Sequence, residues 1–284
     1  MPPHPIPKLP VWKTIADVYI VTARHLGDLL RFSWPWLVVL IAVSMALYSA
    51  YYQSERALLA AGGTRSNLLW ALMLATSTLI GALIAVPWHR RILLNEPQTL
   101  SQGLSLDARK VVYVVKAMAI SASLVLPLIA LMWAIPSETA GEAATKVEPE
   151  FSVFDLWPLI FFITFFAVIF ALNRVSLILP ATAVENRSVT LARAWRGSRG
   201  NTLRLGFVSI IATFLPIIVP VQLIQLVAPA LVSTLDANTA PNALSFATAN
   251  TISELFTILF GMLFVTFLSL SYRHFFGQPE AAHD

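Results

Sequence analysis

The stretch "FSWPWLVVLIAVSMALYSAYYQS", residues 32–54, contains no charged side chain. A helix of about 20 apolar residues is long enough to cross the hydrocarbon core of a lipid bilayer. Three further charge-free runs of similar length follow, at residues 66–88, 117–137 and 205–235. A helix in the core of a soluble domain does not need such length, so these runs predict several membrane-spanning helices.

The composition of the whole chain agrees with this interpretation. Of its 284 residues, 57% are apolar and 12% are charged, and the mean hydropathy is +0.73. A soluble domain has roughly 25% charged residues, so a water-soluble fold is excluded. The chain contains no cysteine, which excludes disulfides and thiolate metal sites. We therefore expect an all-α polytopic membrane bundle, a single integral membrane domain over residues 1–284, with no cofactor and no metal.

Six membrane-spanning helices are predicted from hydropathy and length. They are expected at about residues 33–52, 68–88, 111–135, 156–173, 205–232 and 252–272. With these bounds, Glu254 opens the sixth span at its outer boundary. A segment that contains cations comes shortly before the first span. The positions of such segments indicate the orientation of the chain.

The distribution of lysine and arginine predicts how the spans are threaded. Fifteen of the 19 Lys and Arg residues lie in four segments, namely 1–32, 89–110, 174–204 and the tail after 272. Only three lie in the alternate segments, 53–67, 136–155 and 233–251. Short cationic loops stay on the cytoplasmic side of a membrane. We therefore expect both termini in the cytoplasm.

Three cation-containing segments also predict amphipathic helices that lie along the membrane surface, at about 11–31, 98–110 and 188–199. In the first, Trp12 and Tyr19 are expected on an apolar face opposite Lys13 and Asp17. An apolar face of this kind, with an aromatic anchor, is typical of a helix in the interface.

The third amphipathic segment contains "LARAWRGSR", residues 191–199, in which Arg193, Arg196 and Arg199 recur at helical spacing. Cations near an anionic membrane surface are attracted to lipid headgroups. These three arginines are therefore our candidate headgroup contacts. A nucleic-acid arm would need a soluble basic domain, whereas this row lies in a short loop between two predicted spans, so we expect no nucleic-acid partner.

The fifth predicted span is unusual because it contains three prolines, Pro216, Pro220 and Pro229. Prolines free backbone carbonyls and bend helices, and such interruptions line cavities in transporters. Gln222 and Gln225 lie between them on one face, and Lys116 lies about a turn inside the third span. These three side chains either line a polar cavity, or the glutamines bond other helices of a merely kinked span.

A family resemblance rests on "RVSLILPATAVENRSVTLARAWRGSRGNTLRLG", residues 174–206. This stretch resembles a group of uncharacterised bacterial six-span inner-membrane proteins and is distantly similar to the membrane domain found beside glycerophosphoryl diester phosphodiesterases. The resemblance implies a bacterial inner membrane. It implies no phosphodiesterase activity, because the chain lacks the catalytic domain of those enzymes.

No sequence motif of a known catalytic site is present: HExxH, GxSxG, the Walker loop and GxGxxG are all missing. His89 and His274, at the predicted exits of two spans, are expected to be polar anchors. We expect a non-enzymatic inner-membrane protein that contacts lipids, organises the membrane or scaffolds a membrane-protein partner. The alternative is an exporter or transporter of a small or lipidic solute. An intramembrane lipid enzyme would need converging acid, base or metal groups, which the sequence does not reveal.

Overall fold

The computed structural model describes residues 6–60, 67–133, 156–235 and 243–277, and within them it is all-helical, with no strand. The helices are α1 (Val11–Arg24), α2 (Leu26–Ala60), α3 (Asn67–Leu94), α4 (Leu100–Leu104), α5 (Ala108–Trp133), α6 (Trp157–Val175), α7 (Ile178–Ala183), α8 (Leu191–Gly197), α9 (Thr202–Ser209), α10 (Leu215–Leu235) and α11 (Ala243–Phe276). A π-helical turn, Ile210–Phe214, joins α9 to α10.

Five helical stretches are long and apolar enough to cross a membrane. They are Leu26–Ala57, Ala71–Leu94, Leu159–Ala183, Thr202–Ile224 and Ala243–Phe276. This agrees with the predicted all-helical, multi-pass membrane protein. The predicted third span, 111–135, corresponds to α5, which is helical to Trp133 but is not among the five. Residues 134 and 135 lie outside the described part of the chain. The total of six spans therefore stays a prediction.

Helix α11 is the centre of the bundle and packs against α1, α2, α3 and α10. Within its most apolar part, 61% of the residues are buried, against 50% or less for the other four candidate spans. A helix that is apolar all round is expected to be enclosed by its neighbours. The predicted sixth span, 252–272, lies within α11, which starts earlier, at Ala243, so that Glu254 lies about three turns inside the helix.

The predicted interfacial helix 11–31 is divided in the structure. Helix α1 ends at Arg24, and α2 starts at Leu26 and continues without interruption into the first span. The buried residues of α1 are Thr14, Val18 and Thr22, whereas Trp12 is 72% exposed. A narrow stripe of small and β-branched side chains therefore packs on the bundle, and the predicted apolar face remains on the outside.

The other two predicted interfacial helices are shorter than expected. In 98–110 only α4 is helical before α5 begins. A reciprocal capping box of Thr99 and Gln102 starts α4. At the start of α5, the Asp107 carboxylate accepts a hydrogen bond from the backbone N–H of Lys110. In 188–199 the helix is α8, and the Thr190 side chain accepts from the Arg193 N–H at its start. Local capping chemistry thus divides these segments.

The fifth span is not broken at its prolines, which all lie within α10. The irregularity lies before them: the N–H of Leu215 donates to the carbonyl of Ile210, five residues back. In a regular helix the ring of Pro216 would clash with the carbonyl four residues earlier. A single widened π turn relieves this conflict, so the helix continues through the span.

The charge-rich segments meet at one end of the bundle, formed by the start of α2, the end of α3, α4, the start of α5, α7 to the start of α9, and the end of α11. We call this the basic end. Arg91 donates to Asp28 on α2 at 2.7 Å, and Asn186 donates to Tyr272 on α11 at 2.8 Å. Arg204 on α9 donates to the Leu9 carbonyl at 2.8 Å. Polar bonds between separate helices thus join the segments that the sequence places on one side of the membrane.

Candidate functional site

Helix α8 is held against the end of α6 by Arg174. Its guanidinium lies over the Trp195 ring, 3.8 Å from the centroid, and donates to the Ser198 hydroxyl at 3.1 Å and to the Trp195 carbonyl. Arg174 is near the end of α6, and only 8% of it is exposed. Its charge is compensated by the carbonyl end of α8 and by the aromatic ring. Arg174 is therefore a positioning residue for the arginine row.

The three candidate headgroup arginines, Arg193, Arg196 and Arg199, are exposed. Arg193 donates to the Ser188 carbonyl at 3.1 Å and Arg196 to the Ala192 carbonyl at 3.3 Å. Within the described residues no carboxylate forms an ion pair with any of the three. The row therefore presents its positive charge outward, and Ala194 is the buried residue of α8.

A second group of cations lines a cleft of about 510 Å³ between α5 and the segment from α7 to α8, which we call the cationic cleft. Its charged lining residues are Arg109, Lys116, Glu185 and Arg187. Apolar lining residues include Val112 and Leu191, which are 46% and 52% exposed. The cleft thus combines three cations and one carboxylate with apolar walls.

The cations of the cationic cleft differ in how far they are neutralised. Arg109 lies 3.2 Å from the Asp107 carboxylate and 3.7 Å from that of Glu185. Among the residues that the structure describes, Lys116 donates only to the neutral Thr182 hydroxyl, at 2.8 Å. Arg187 has no side-chain hydrogen bond or ion pair with any residue that the structure describes. Lys116 and Arg187 therefore keep a net positive charge beside the apolar walls.

The three residues of the predicted polar cavity are Lys116, Gln222 and Gln225. Lys116 lies in the cationic cleft, and Gln222 is exposed on α10 and is not part of that cleft's lining. The side chain of Gln225 lies outside the described residues. Arg109 and Arg187 also line the cleft. The sequence did not identify them as site residues, because cations in cytoplasmic loops are expected from the positive-inside pattern whether or not they bind a ligand.

Lys110, beside the cleft, has a structural task that its sequence position does not indicate. The residue is 2% exposed, and its ammonium group donates to the carbonyls of Gln102 and Gly103, both at 2.7 Å. Burial lowers the pKa of Lys110, and the nearby Asp107 carboxylate opposes that change. The Gly103 carbonyl also accepts from the Trp36 indole at 3.1 Å, so α4 is tied to both α5 and α2.

His89, expected to be a polar anchor at a span exit, is fully buried. Its Nδ1 lies 2.7 Å from the Ser269 hydroxyl and its Nε2 lies 3.0 Å from the Tyr113 hydroxyl. Each ring nitrogen therefore has a partner on a different helix, α11 or α5. This arrangement joins three helices and leaves no free ring nitrogen for acid–base chemistry.

Among the described residues no group of three or more His, Asp or Glu side chains is arranged to hold a metal ion. Comparison of the chain with protein-family models gives no match. Neither curated proteins nor solved structures match it. The resemblance to bacterial inner-membrane proteins therefore stays a prediction from the sequence.

Proposed function

We propose that the chain is a non-enzymatic integral protein of the bacterial inner membrane that binds anionic lipids at its basic end, in the cationic cleft. The observation that carries the proposal is the pairing of two cations without acidic partners, Lys116 and Arg187, with the apolar walls at Val112 and Leu191. A lipid with a phosphate headgroup carries the complementary charge and an apolar chain on one molecule.

The orientation belongs to the same proposal. The basic end faces the cytoplasm, with both termini on that side, because cationic loops are retained there. The cytoplasmic leaflet supplies the anionic surface, and each Lys or Arg close to it contributes about 1 kcal/mol. The exposed row Arg193, Arg196 and Arg199 then attracts the surface generally, whereas the cationic cleft selects one headgroup.

The charge of the cationic cleft is tested by the double change Lys116→Gln with Arg187→Gln. We expect the affinity for phosphatidylglycerol to fall about tenfold or more, because two cations of about 1 kcal/mol each are removed. Native mass spectrometry of the protein in neutral detergent, with added phosphatidylglycerol and phosphatidylcholine, measures the bound lipid. Binding of phosphatidylcholine serves as the internal control and is expected to change little.

The arginine row provides a matched comparison for that experiment. The triple change Arg193→Gln, Arg196→Gln and Arg199→Gln removes more charge but leaves the lining of the cationic cleft intact. We expect it to weaken association with anionic vesicles, measured by co-sedimentation, while one tightly held phosphatidylglycerol per chain persists in neutral detergent. If the triple variant loses that bound lipid and the double variant keeps it, the site is the row and not the cleft.

A transporter or exporter of a lipidic solute is the second candidate, and the π turn before Pro216 is the observation that favours it. Such turns occur frequently at functional positions in helices. Proteoliposomes with a fluorescent phosphatidylglycerol analogue, quenched from outside with dithionite, measure whether lipid crosses the membrane. Faster crossing that is lost on Gln222→Leu supports a transporter, and crossing at the rate of empty liposomes supports the binding protein.

A further inference from the structure

At the opposite end of the bundle from the basic end, α2, α3 and α11 enclose a second cavity of about 490 Å³, which we call the distal cavity. It is lined by Tyr48, Tyr51, Met73, Leu74, Ser77, Thr78, Phe246, Asn250, Glu254, Thr257 and Ile258. Glu254 is 18 residues before Tyr272 on α11, which corresponds to about 27 Å along a helix. The distal cavity is therefore far from the cationic cleft and independent of the function proposed for it.

Glu254 is the single charged residue of the distal cavity lining. The Tyr48 hydroxyl donates to its carboxylate at 3.4 Å. No Lys, Arg or His of the described residues forms an ion pair with it. A carboxylate in a membrane-spanning helix is costly unless a positive charge or a proton compensates it, and such groups mark binding or transport sites. When it is ionised, Glu254 thus calls for a positive partner.

Aromatic rings form the wall beside Glu254. The Phe246 ring stacks on Tyr51 with centroids 6.3 Å apart, and it meets Tyr48 edge-on, also at 6.3 Å. Tyr52 approaches the same ring at 5.3 Å. The faces of aromatic rings attract cations, and a cage of rings is the usual receptor for quaternary ammonium groups. One cation is already present at this cluster: the Arg56 guanidinium lies over Tyr52, 5.8 Å from its centroid.

The donor set does not suit an inorganic cation. Hard metal ions such as calcium require six to eight oxygen ligands, but the described lining offers a single carboxylate. A volume of about 490 Å³ is also much larger than an ion and falls in the range of small-molecule sites.

We propose that the distal cavity binds an organic ammonium compound, whose positive group lies between the Glu254 carboxylate and the rings of Tyr48, Tyr51 and Phe246. The carboxylate supplies the charge, and the rings replace the water that the ammonium group loses. The remaining apolar lining accommodates the organic part of the ligand. This site goes beyond the lipid-binding function, which concerns an anionic ligand at the other end.

The test uses ethidium, a fluorescent organic cation, with the full chain in dodecyl maltoside, a neutral detergent. Fluorescence anisotropy is expected to show that ethidium binds saturably and that millimolar choline displaces it. The neutral compound 3,3-dimethyl-1-butanol has the same branched shape as choline without the charge and is expected to displace no ethidium. Equal displacement by the two compounds would overturn the proposal, because the cavity would then recognise shape and not charge.

Variants separate the distal cavity from nonspecific binding. We expect Glu254→Gln to weaken ethidium binding at least tenfold, and Phe246→Leu to weaken it while leaving the carboxylate in place. Thr248→Val, an exposed change on the same helix, is the matched control and is expected to bind like the unmodified chain. The thermal midpoint of each variant shows whether it is folded. Unchanged binding by folded Glu254→Gln, or by folded Phe246→Leu, contradicts the site.

The two proposals fail independently. The double change Lys116→Gln with Arg187→Gln alters the cationic cleft and is expected to leave ethidium binding unchanged. Glu254→Gln is expected to leave bound phosphatidylglycerol unchanged. Loss of ethidium binding in the cleft variant would mean that ethidium binds at the basic end, and this would overturn the distal site. Persistence of bound phosphatidylglycerol in the cleft variant would contradict only the function proposed for the basic end.

Discussion

Replacing Gly206 by alanine is expected to destabilise the protein by about 1–3 kcal/mol, the usual cost of overpacking a filled interior. A Cβ at this position would overlap ring atoms Cδ1 and Cε1 of Phe170. Gly206 lies on α9 and is buried, and α9 packs against α6, which carries Phe170. Small residues allow helices in membranes to approach closely, so the added methyl group must push these two helices apart or displace the ring.

The matched control for Gly206→Ala is Gly261→Ala on α11. A Cβ at Gly261 meets no atom within 4 Å, and alanine favours a helix over glycine by about 1 kcal/mol. We expect this second variant to be as stable as the unmodified chain or slightly more so. Thermal unfolding in detergent, followed by tryptophan fluorescence, measures both. Equal midpoints for the two variants would show that the contact of α9 with α6 is not tightly packed.

The second large effect is expected for Thr266→Val. The Thr266 hydroxyl is fully buried, and it donates to the Met262 carbonyl of its own helix at 2.9 Å. Its oxygen then accepts from the Trp88 indole on α3, at 2.9 Å, and from the Thr22 hydroxyl on α1, also at 2.9 Å. One hydroxyl therefore joins three helices with its full hydrogen-bonding capacity.

Valine has nearly the shape of threonine, so Thr266→Val removes these bonds without leaving a cavity. The Trp88 indole N–H and the Thr22 hydroxyl lose their partner in a buried site, at about 1–3 kcal/mol for each stranded group. Thr248→Val is the control, because Thr248 is exposed and donates only within α11, to Leu244. We expect the thermal midpoint to fall by several degrees for Thr266→Val and to stay unchanged for Thr248→Val. Equal midpoints would mean that water satisfies both groups.

The contrast between Arg174 and the arginine row illustrates how far the candidate site was predictable. Arg193, Arg196 and Arg199 were identified from their spacing and are exposed, as a surface row should be. Arg174 belongs to the same cation-rich segment, yet it is buried, with its guanidinium over the Trp195 ring. Spacing determines which side of a helix a residue occupies. Whether that side meets lipid, water or another helix depends on partners distant in the sequence.

In the fifth span, the backbone geometry also depends partly on local sequence and partly on the packing of other helices. The prolines predicted an interruption, and a π turn does occur immediately before Pro216. Its position follows from the steric demand of the proline ring on the preceding turn, which is local. The helix continues through Pro220 to Leu235, which agrees with the kinked span and not with a broken one. In a membrane, neighbouring helices and local adjustments can satisfy the carbonyls that prolines leave free, so continuity depends on the packed bundle.

The sequence by itself determined the helical, membrane-crossing character of this chain, because about 20 consecutive apolar residues are a local property that needs no tertiary information. It also determined that the cations gather in alternate segments. The tertiary structure alone brought Arg109, Lys116 and Arg187 into one cleft, and Tyr48, Phe246 and Glu254 into another. These groups come from helices far apart in the chain, and the distances between their charges are set by which helix faces pack together.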